Sequence, residues 1–383
     1  FQAEDGIRDR SPSRGLGDVY KRQFINSKGV IMKKELLMAS ALVSTLGAAS
    51  VAQAVTATMA GSMKVGVEFE SPGGSTVDTN NVKDQSNFNI SLSETTDAGT
   101  TISTSFEIVD EGTVSADDDN AIKLTFTDGS ALELLNAGNA AGTHAVAVPG
   151  AGGEQGIGGT SSNNAPTGVD FGAGSTALGV EWHSAADFLA DGLKLSASFS
   201  TDDGSAKTAT ARVDSSYGIG ATYVTTAGDT TLTIGGGVSG SEVAKSGTQL
   251  TADQEGFNIG VSAVTGDLTV GVGFGDGDTF ADEGGSVTSQ TDGSVTTAGI
   301  KYVTGDITIA LGVTSGEAKD STTVGTAGTT DDSHDATSAS VTYAVASGVS
   351  AVLGYTTVDQ NDEGSSDESS GGSAWYVGAT MSF

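Results

Sequence analysis

The feature that most constrains the fold is a hairpin unit that recurs along the chain after residue 55. In each copy, an alternating strand, a very short turn and a second alternating strand precede a long acidic loop rich in Gly, Ser and Thr. The clearest copies are GFNIGVSAVTGDLTVGVGFG (256–275), TAGIKYVTGDITIALGVTSG (297–316) and SASVTYAVASGVSAVLGYTTV (338–358). The turns at 265–267 and 304–306 suit tight hairpins, because Gly adopts positive φ at little cost. The pattern predicts an antiparallel meander, and 184–190 is the one segment after residue 55 considered as a helix.

Alternating segments of about ten residues recur sixteen times. Along the chain they are 57–70, 86–95, 99–109, 119–127, 130–136, 175–183, 192–201, 215–225, 229–239, 255–264, 267–275, 295–304, 306–315, 337–346, 349–358 and 373–383. Short connections alternate with long ones, as with 305 followed by 316–336. Tilted strands of roughly 9–11 residues cross a bilayer, and membrane barrels have short turns at one end and long loops at the other. We therefore predict an all-β, transmembrane, antiparallel up-and-down barrel of sixteen strands, with short periplasmic turns and long extracellular loops.

The two faces of each predicted strand differ in polarity. Leu268, Val270, Val272 and Phe274 share one face of 267–275, and the opposite face carries Asp, Thr and Gly. This arrangement fits an apolar side facing lipid and a small polar side facing a water-filled lumen. Aromatic residues at strand ends fit the girdles found at membrane interfaces. These residues are Trp182, Tyr223, Tyr302, Tyr343, Tyr355 and Trp375.

The chain ends on an apolar strand, SAWYVGATMSF (373–383). Chain ends are normally polar and frayed. A strand that finishes on Phe383 must therefore have an apolar surface to lie against.

The N-terminal residues differ in composition from the rest. Residues 1–31 are interpreted as a non-native or untranslated leader, of which 1–23 resembles translated adapter sequence. Residues 32–54 have the basic start, apolar stretch and Ala-Gln-Ala end of a signal peptide. The alternative for this segment, a short transmembrane anchor, is less favoured because the apolar stretch is short for a span. The predicted barrel is 55–383.

Charge and residue types exclude several functions. Residues 55–383 contain nine Lys and Arg against 43 Asp and Glu, a formal net charge of −34. Such acidity argues against nucleic-acid binding, and the absence of Cys excludes disulfides and thiol metal sites. His144, His183 and His334 are far apart in sequence and are interpreted as isolated polar residues. No catalytic motif is present, so the protein is predicted not to be an enzyme.

One acidic segment raises the question of calcium. GDGDTFADEGG (275–285) spaces four carboxylates loosely, like oxygen ligands, without the full twelve-residue pattern of a calcium loop. They are Asp276, Asp278, Asp282 and Glu283. The segment is a candidate weak Ca²⁺ site in an outer loop, with a mobile loop as the alternative; no other cofactor is expected.

Over 55–383 the sequence resembles the general bacterial porins of the sixteen-stranded, alphaproteobacterial type. The most specific element is the terminal strand, in which Trp375, Val377, Met381 and Phe383 resemble the signal read by the barrel-assembly machinery. The resemblance implies that this strand closes the barrel against the first one. It also implies a homotrimer in the bacterial outer membrane, in contact with lipid and lipopolysaccharide.

The resemblance also assigns a role to the longest connection, about 136–174. In porins the third long loop folds into the barrel and narrows the pore. Here that loop offers Glu154 and Asp170, and the facing wall would supply Lys64 and Lys123. This set departs from the arginine-rich constriction typical of the family.

The predicted function is passive diffusion of small hydrophilic solutes and ions, with a preference for cations because of the acidic mouths. The alternative is a secreted acidic β-protein of the surface-layer or adhesin kind, which binds a partner and transports nothing. It would share the acidity and the signal peptide, but it would not need the terminal Phe383 or the alternation of connection lengths.

Overall fold

The architecture comes from a computed structural model. It describes residues 55–73, 78–110, 114–116, 121–135, 138–153, 156–157, 160–161, 178–201, 212–244, 254–281, 289–320, 330–361 and 370–383. The expected leader and signal peptide, 1–54, lie outside this range. In the described residues, sixteen strands form the wall. They are β1 (Thr56–Gly73), β2 (Thr79–Thr95), β3 (Thr101–Asp110), β4 (Val114–Ala116 and Ile122–Thr125), β5 (Ala131–Leu134), β6 (Leu178–His183), β7 (Leu193–Thr201), β8 (Arg212–Ala227), β9 (Thr230–Ala244), β10 (Gln254–Thr265), β11 (Leu268–Ala281), β12 (Ser289–Thr304), β13 (Ile307–Asp320), β14 (Thr330–Ala346), β15 (Val349–Asn361) and β16 (Ser370–Ser382).

Every strand pairs antiparallel with the next along the chain, and β16 returns to pair with β1. β4 counts as one strand because both of its segments pair with β3. The sheet formed by the described strands is therefore closed and has no edge strand, which is the condition for a sheet to sit in lipid. The predicted sixteen-stranded barrel is confirmed.

The faces are arranged as predicted. Leu268, Val270 and Val272 lie on the outer face of β11 and are exposed, Val272 by 49%. Gly271, between them, faces inward, where a Cβ atom would lie 2.9 Å from Cδ of Pro149 in a loop inside the barrel. Apolar side chains thus point out from the wall, and small or polar ones line the lumen.

Short turns and longer connections separate between the two ends of the barrel, except that the turn at 184–192 has nine residues and the β1–β2 connection at the other end, 74–78, has five. Seven turns lie at one end, at 96–100, 126–130, 184–192, 228–229, 266–267, 305–306 and 347–348. Gly266 and Gly305 adopt the positive φ that the tight turns require, at 54° and 57°. The longer connections lie at the other end, and the longest joins β5 to β6, close to the predicted 136–174.

Two local expectations were wrong. Several strands exceed ten residues, since β1 has 18 and β2 has 17; they extend on the loop side, where each hairpin satisfies its own backbone groups. Residues 184–190, considered as a helix, form a turn. Among the described residues the helix is instead α1 (Ala140–Thr143), inside the long connection after β5.

The terminal strand closes the barrel through its last residue. The backbone N–H of Phe383 donates to the carbonyl of Gly61, and that of Gly61 donates back, both at 3.0 Å. The Phe383 ring covers Gly61, where a Cβ atom would lie 2.3 Å from its Cζ atom. The expectation that the last strand pairs with the first is confirmed, and Trp375, Val377 and Met381 are exposed on its outer face. Their recognition by the barrel-assembly machinery stays a prediction.

The inner side of the same seam is filled by Tyr376. Its side chain is fully buried, and its ring lies across Gly66 of β1 and Gly378 of its own strand. A Cβ atom on Gly66 would lie 2.5 Å from the ring. Because β1 and β16 are far apart in sequence, this packing joins the two ends of the sheet.

Gly66→Ala is expected to destabilise the barrel by about 1–3 kcal/mol, the usual cost of overpacking a well-filled position. The added methyl group must displace the Tyr376 ring from the seam. Urea unfolding in detergent, followed by heat-modifiable migration on a gel, measures the change.

Gly316→Ala is the matched control. Gly316 also faces the lumen, but its nearest neighbour for a Cβ atom, the Ser294 carbonyl oxygen, lies at 3.5 Å, an ordinary contact. If both variants unfold at the same urea concentration as the parent, Tyr376 does not stabilise the seam.

Candidate functional site

The candidate site is the part of the long connection that lies inside the barrel, residues 138–153, called here the inner loop. It begins with α1, whose N-cap is Asn139: the Asn139 side chain accepts a hydrogen bond from the Gly142 N–H at 2.9 Å. Ala140 and Ala141 are buried against the wall. A run of small residues is thus placed where the chain must pass close to the sheet.

Glu181 of β6 holds the start of the inner loop. Its carboxylate accepts hydrogen bonds from the Asn139 N–H at 3.2 Å and from the Thr143 hydroxyl at 2.7 Å. On the next strand, the Ser198 hydroxyl accepts from the Ala140 N–H at 3.0 Å. Because α1 is only four residues long, its N–H groups depend on such partners from outside the helix.

His144 continues the attachment after α1. Its Nδ1 atom lies 2.7 Å from the Thr222 hydroxyl and its Nε2 atom 2.8 Å from the Ser196 hydroxyl. His183 of β6 also hydrogen-bonds Ser196, through Nδ1 at 2.9 Å. The interpretation of His144 and His183 as isolated residues was wrong, because the loop returns to the wall strand that follows β6.

Burial, with the nearby charges of His183 and Lys194, lowers the pKa of His144 below its ordinary value of 6.5. The docked loop therefore holds a neutral imidazole, which uses one ring nitrogen as donor and the other as acceptor. Protonation would require both hydroxyl partners to accept and would place a positive charge beside Lys194.

Glycines of the wall make room for the loop backbone. A Cβ atom on Gly220 would lie 2.3 Å from the Ala140 carbonyl oxygen, and one on Gly299 would lie 1.7 Å from that of Pro149. Similar close approaches occur at other inward-facing glycines of β9, β10 and β11. They are Gly235, Gly237, Gly260 and Gly271. We call these six residues the glycine track; a side chain on any of them would occupy the position of the loop.

Two further hydrogen bonds attach the loop beyond β8. The Asn258 amide of β10 donates to the Ala141 carbonyl at 3.0 Å, and the Gly152 N–H donates to the Ser340 hydroxyl of β14 at 2.7 Å. Farther on, Gly156–Ile157 comes close to β15 and β16. The loop thus follows the inner wall from β6 towards β16.

The wall beside the loop carries a charged network. Lys123, Glu133 and Glu181 lie side by side on β4, β5 and β6. The Lys123 ammonium is 2.5 Å from the Glu133 carboxylate, and His183 lies 3.4 Å from that carboxylate. Lys123 is therefore on the inner face, as predicted, but its charge is paired with Glu133, which the sequence analysis did not single out.

Lys64 lies on the inner face of β1, in register with Gln85 of β2 and Thr380 of β16. In a closed barrel of sixteen strands, the strand eight places along lies across the lumen. β1 therefore faces β9, where Gly235 and Gly237 carry the inner loop. Lys64 therefore faces, across the lumen, the part of the inner loop that lies on β9.

The remaining predicted residues divide between described and undescribed parts of the chain. Glu154, Asp170, Asp282 and Glu283 lie outside the described residues. Asp276 and Asp278 lie in β11, so the expectation that this segment is a loop was wrong for 275–281. Asp276 is in register with Phe257 on the outer face. Within the described residues, no group of three or more His, Asp and Glu is arranged to hold a metal ion.

The residues that hold the inner loop, chiefly Glu181, Ser196 and Asn258, are not predicted from the sequence. Each was visible as a polar residue on the inward face of an alternating strand. Nothing local distinguished them from other lumen-facing serines and acids, because their partners are up to 117 positions away.

Comparison with known proteins decides the family. A family model described as Gram-negative porin matches residues 39–363. The chain belongs to the Gram-negative porin family. No curated protein sequence matches it significantly.

Three solved structures share the fold. The anion-selective porin from Comamonas acidovorans matches with a TM-score of 0.59 and 11% identity, covering 86% of this chain and 100% of that one. OmpT of Vibrio cholerae, in its trimer form, matches with a TM-score of 0.56, 15% identity and coverage of 86% and 99%. A mutant of the Rh. blastica porin matches with a TM-score of 0.51 and 15% identity, covering 86% of this chain and 100% of that one.

Membership of this family places the protein in the bacterial outer membrane as a channel for small solutes. Porins are channel proteins and not enzymes. The alternative of a secreted surface-layer or adhesin-like protein is not supported. Among the described residues, no helix has the length and apolar character needed to cross a membrane.

The neutral His144 ring gives a pH prediction. A pKa lowered by docking means that this residue stabilises the docked loop fully above about pH 6.5, and that the contribution is lost as the pH falls through the lower, docked value. We expect single-channel recordings to show closures or current noise that increase with acidification.

His144→Gln should remove most of this pH dependence, since the amide cannot titrate. His334→Gln is the control, because His334 lies on β14 six positions before Ser340, the residue through which this strand holds the inner loop. Equal acid sensitivity in the parent and in His144→Gln would contradict the prediction.

Proposed function

We propose that the protein is a water-filled diffusion channel whose narrowest part lies between the inner loop and the inner face of β1–β4. The supporting observation is the row of hydrogen bonds, with the glycine track, that holds 138–153 against β6–β14. A loop fixed in this way sets the aperture without a moving part. Glu154 and Asp170, farther along the same connection, and Lys64 and Lys123 on the wall are the proposed charged groups of the constriction.

The fold alone does not determine the ion preference, because the described lumen wall carries both signs of charge. Its inward-facing lysines are Lys64, Lys83, Lys123, Lys194 and Lys301. Its inward-facing glutamates are Glu68, Glu70, Glu107, Glu133 and Glu181. Lys83 lies 3.0 Å from Glu68, and Lys123 is in direct contact with Glu133.

We therefore propose a weak preference for cations that arises from the acidic connections at the mouths and not from the wall. The Debye length falls from about 8 Å at 0.15 M salt to about 3 Å at 1 M, so the preference should weaken as salt is added. The Comamonas acidovorans porin has a similar fold but is anion-selective. This supports the proposal that local charges, and not the fold, determine whether cations or anions are preferred.

The proposed assembly is a homotrimer, supported by the trimer form of the Vibrio cholerae protein. The proposed partners are outer-membrane lipid, lipopolysaccharide and the barrel-assembly machinery, which would read Trp375, Val377, Met381 and Phe383. We also propose weak calcium binding around Asp276, Asp278, Asp282 and Glu283, and no other cofactor.

Reversal potentials in planar bilayers under a KCl gradient test both the channel function and the preference for cations over anions. Lys64→Gln should shift the permeability ratio towards cations. A unit charge about 10 Å from an ion in water is worth about 0.4 kcal/mol, or roughly a twofold change in that ratio.

Asp335→Asn is the control, because this acid is exposed on the outer face of β14. It should leave the permeability ratio close to that of the parent. The absence of conductance steps from correctly folded protein would contradict the channel itself. A ratio unaffected by Lys64→Gln would contradict the placement of Lys64 at the constriction.

A further inference from the structure

The turn between β6 and β7, residues 184–192, differs from the other turns. All seven turns lie in the described residues, and the other six carry mainly Gly, Asp, Thr and Ser at their tips. This turn instead presents Phe188 and Leu189, which are 51% and 70% exposed. Two adjacent bulky apolar side chains at a turn tip require an apolar partner or remain in contact with water.

The turn is a built structure. The Ser184 hydroxyl accepts a hydrogen bond from the Leu195 N–H and donates to the Ala185 carbonyl, both at 2.9 Å. The Asp187 carboxylate accepts from the Gly192 N–H, and Asp187 itself adopts a φ of 62°, which is uncommon outside Gly. Phe188 and Leu189 are therefore held in place by the turn that carries them.

The position of Phe188 shows which side of the wall the turn follows. Its ring contacts that of Trp182 edge to face, with centroids 5.7 Å apart and planes at 77°. Trp182 is in register with Leu132 of β5 and Ala197 of β7, on the outer face of the sheet. The turn thus folds back over the lipid-facing side of the barrel, away from the lumen.

We propose that Phe188 and Leu189 insert into the periplasmic leaflet of the outer membrane and fix the depth of the barrel rim at β6 and β7. The two side chains extend the apolar, lipid-facing surface of the barrel at the rim where Trp182 marks the interface. Asp187 and Asp191 flank them and remain among headgroups and water. The occupant of this surface is phospholipid.

The test uses the absence of Cys from the chain, which allows one label at a chosen position. Leu189→Cys, labelled with the fluorophore NBD, is refolded as the full barrel and reconstituted in phosphatidylcholine vesicles. We expect blue-shifted emission that is largely lost when phospholipids brominated near the headgroup replace the ordinary ones. Asp229→Cys, on the exposed β8–β9 turn at the same end, is the matched control and should give water-like, unquenched emission.

Emission from the Leu189→Cys label as water-like as that of the control would overturn the proposal. Blue-shifted emission that brominated lipid does not quench would also overturn it, and would assign the surface to a second copy of the chain. Conductance of the same vesicles is measured separately, so a failure of this proposal is distinct from a failure of the channel.

Discussion

The structure depends on the hydrogen-bonded closure between the first and last strands. A sheet in hydrocarbon cannot leave backbone groups without partners, because each one costs several kcal/mol. Gly61 and Phe383 complete the ladder at the turn end, and Tyr376 fills the inner side of the same seam. Once closure is achieved, the period of two along each strand determines which side chains meet lipid and which meet water.

The barrel also provides the surface on which the inner loop is held. β6 and β7 supply Glu181, Ser196 and Ser198, and the strands beyond them supply the glycine track. Each attachment is individually modest, since a neutral hydrogen bond contributes about 0.5–1.5 kcal/mol. Together they fix a long connection that has little secondary structure of its own. The lumen is therefore asymmetric, with peptide backbone on one side and the side chains of β1–β4 on the other.

The sequence predicted the wall well, because alternation is a local signal and sixteen segments repeated it. The hairpins around Gly266 and Gly305 are examples in which turn chemistry and alternation agreed. The inner loop could be predicted only by resemblance, and its anchors not at all. Asn258 and Ala141 are distant in sequence, and a glycine that admits a backbone looks the same in sequence as one in a turn. Lys123 was placed on the correct face, but its partner Glu133 depends on strand register, which alternation alone does not supply.

The glycine track has a consequence for how such a pore can vary. Where the loop backbone lies directly on a glycine, as at Gly220 and Gly299, its distance from the wall is set by main-chain thickness, whereas over Gly260 and Gly271 the side chains of Val146 and Pro149 form the contact. Loop side chains that point towards the lumen then do not contribute to holding the loop against the wall. Substitutions at those positions can change the diameter and the charge of the pore without changing the wall. The strands under the loop, in contrast, tolerate almost no increase in side-chain volume.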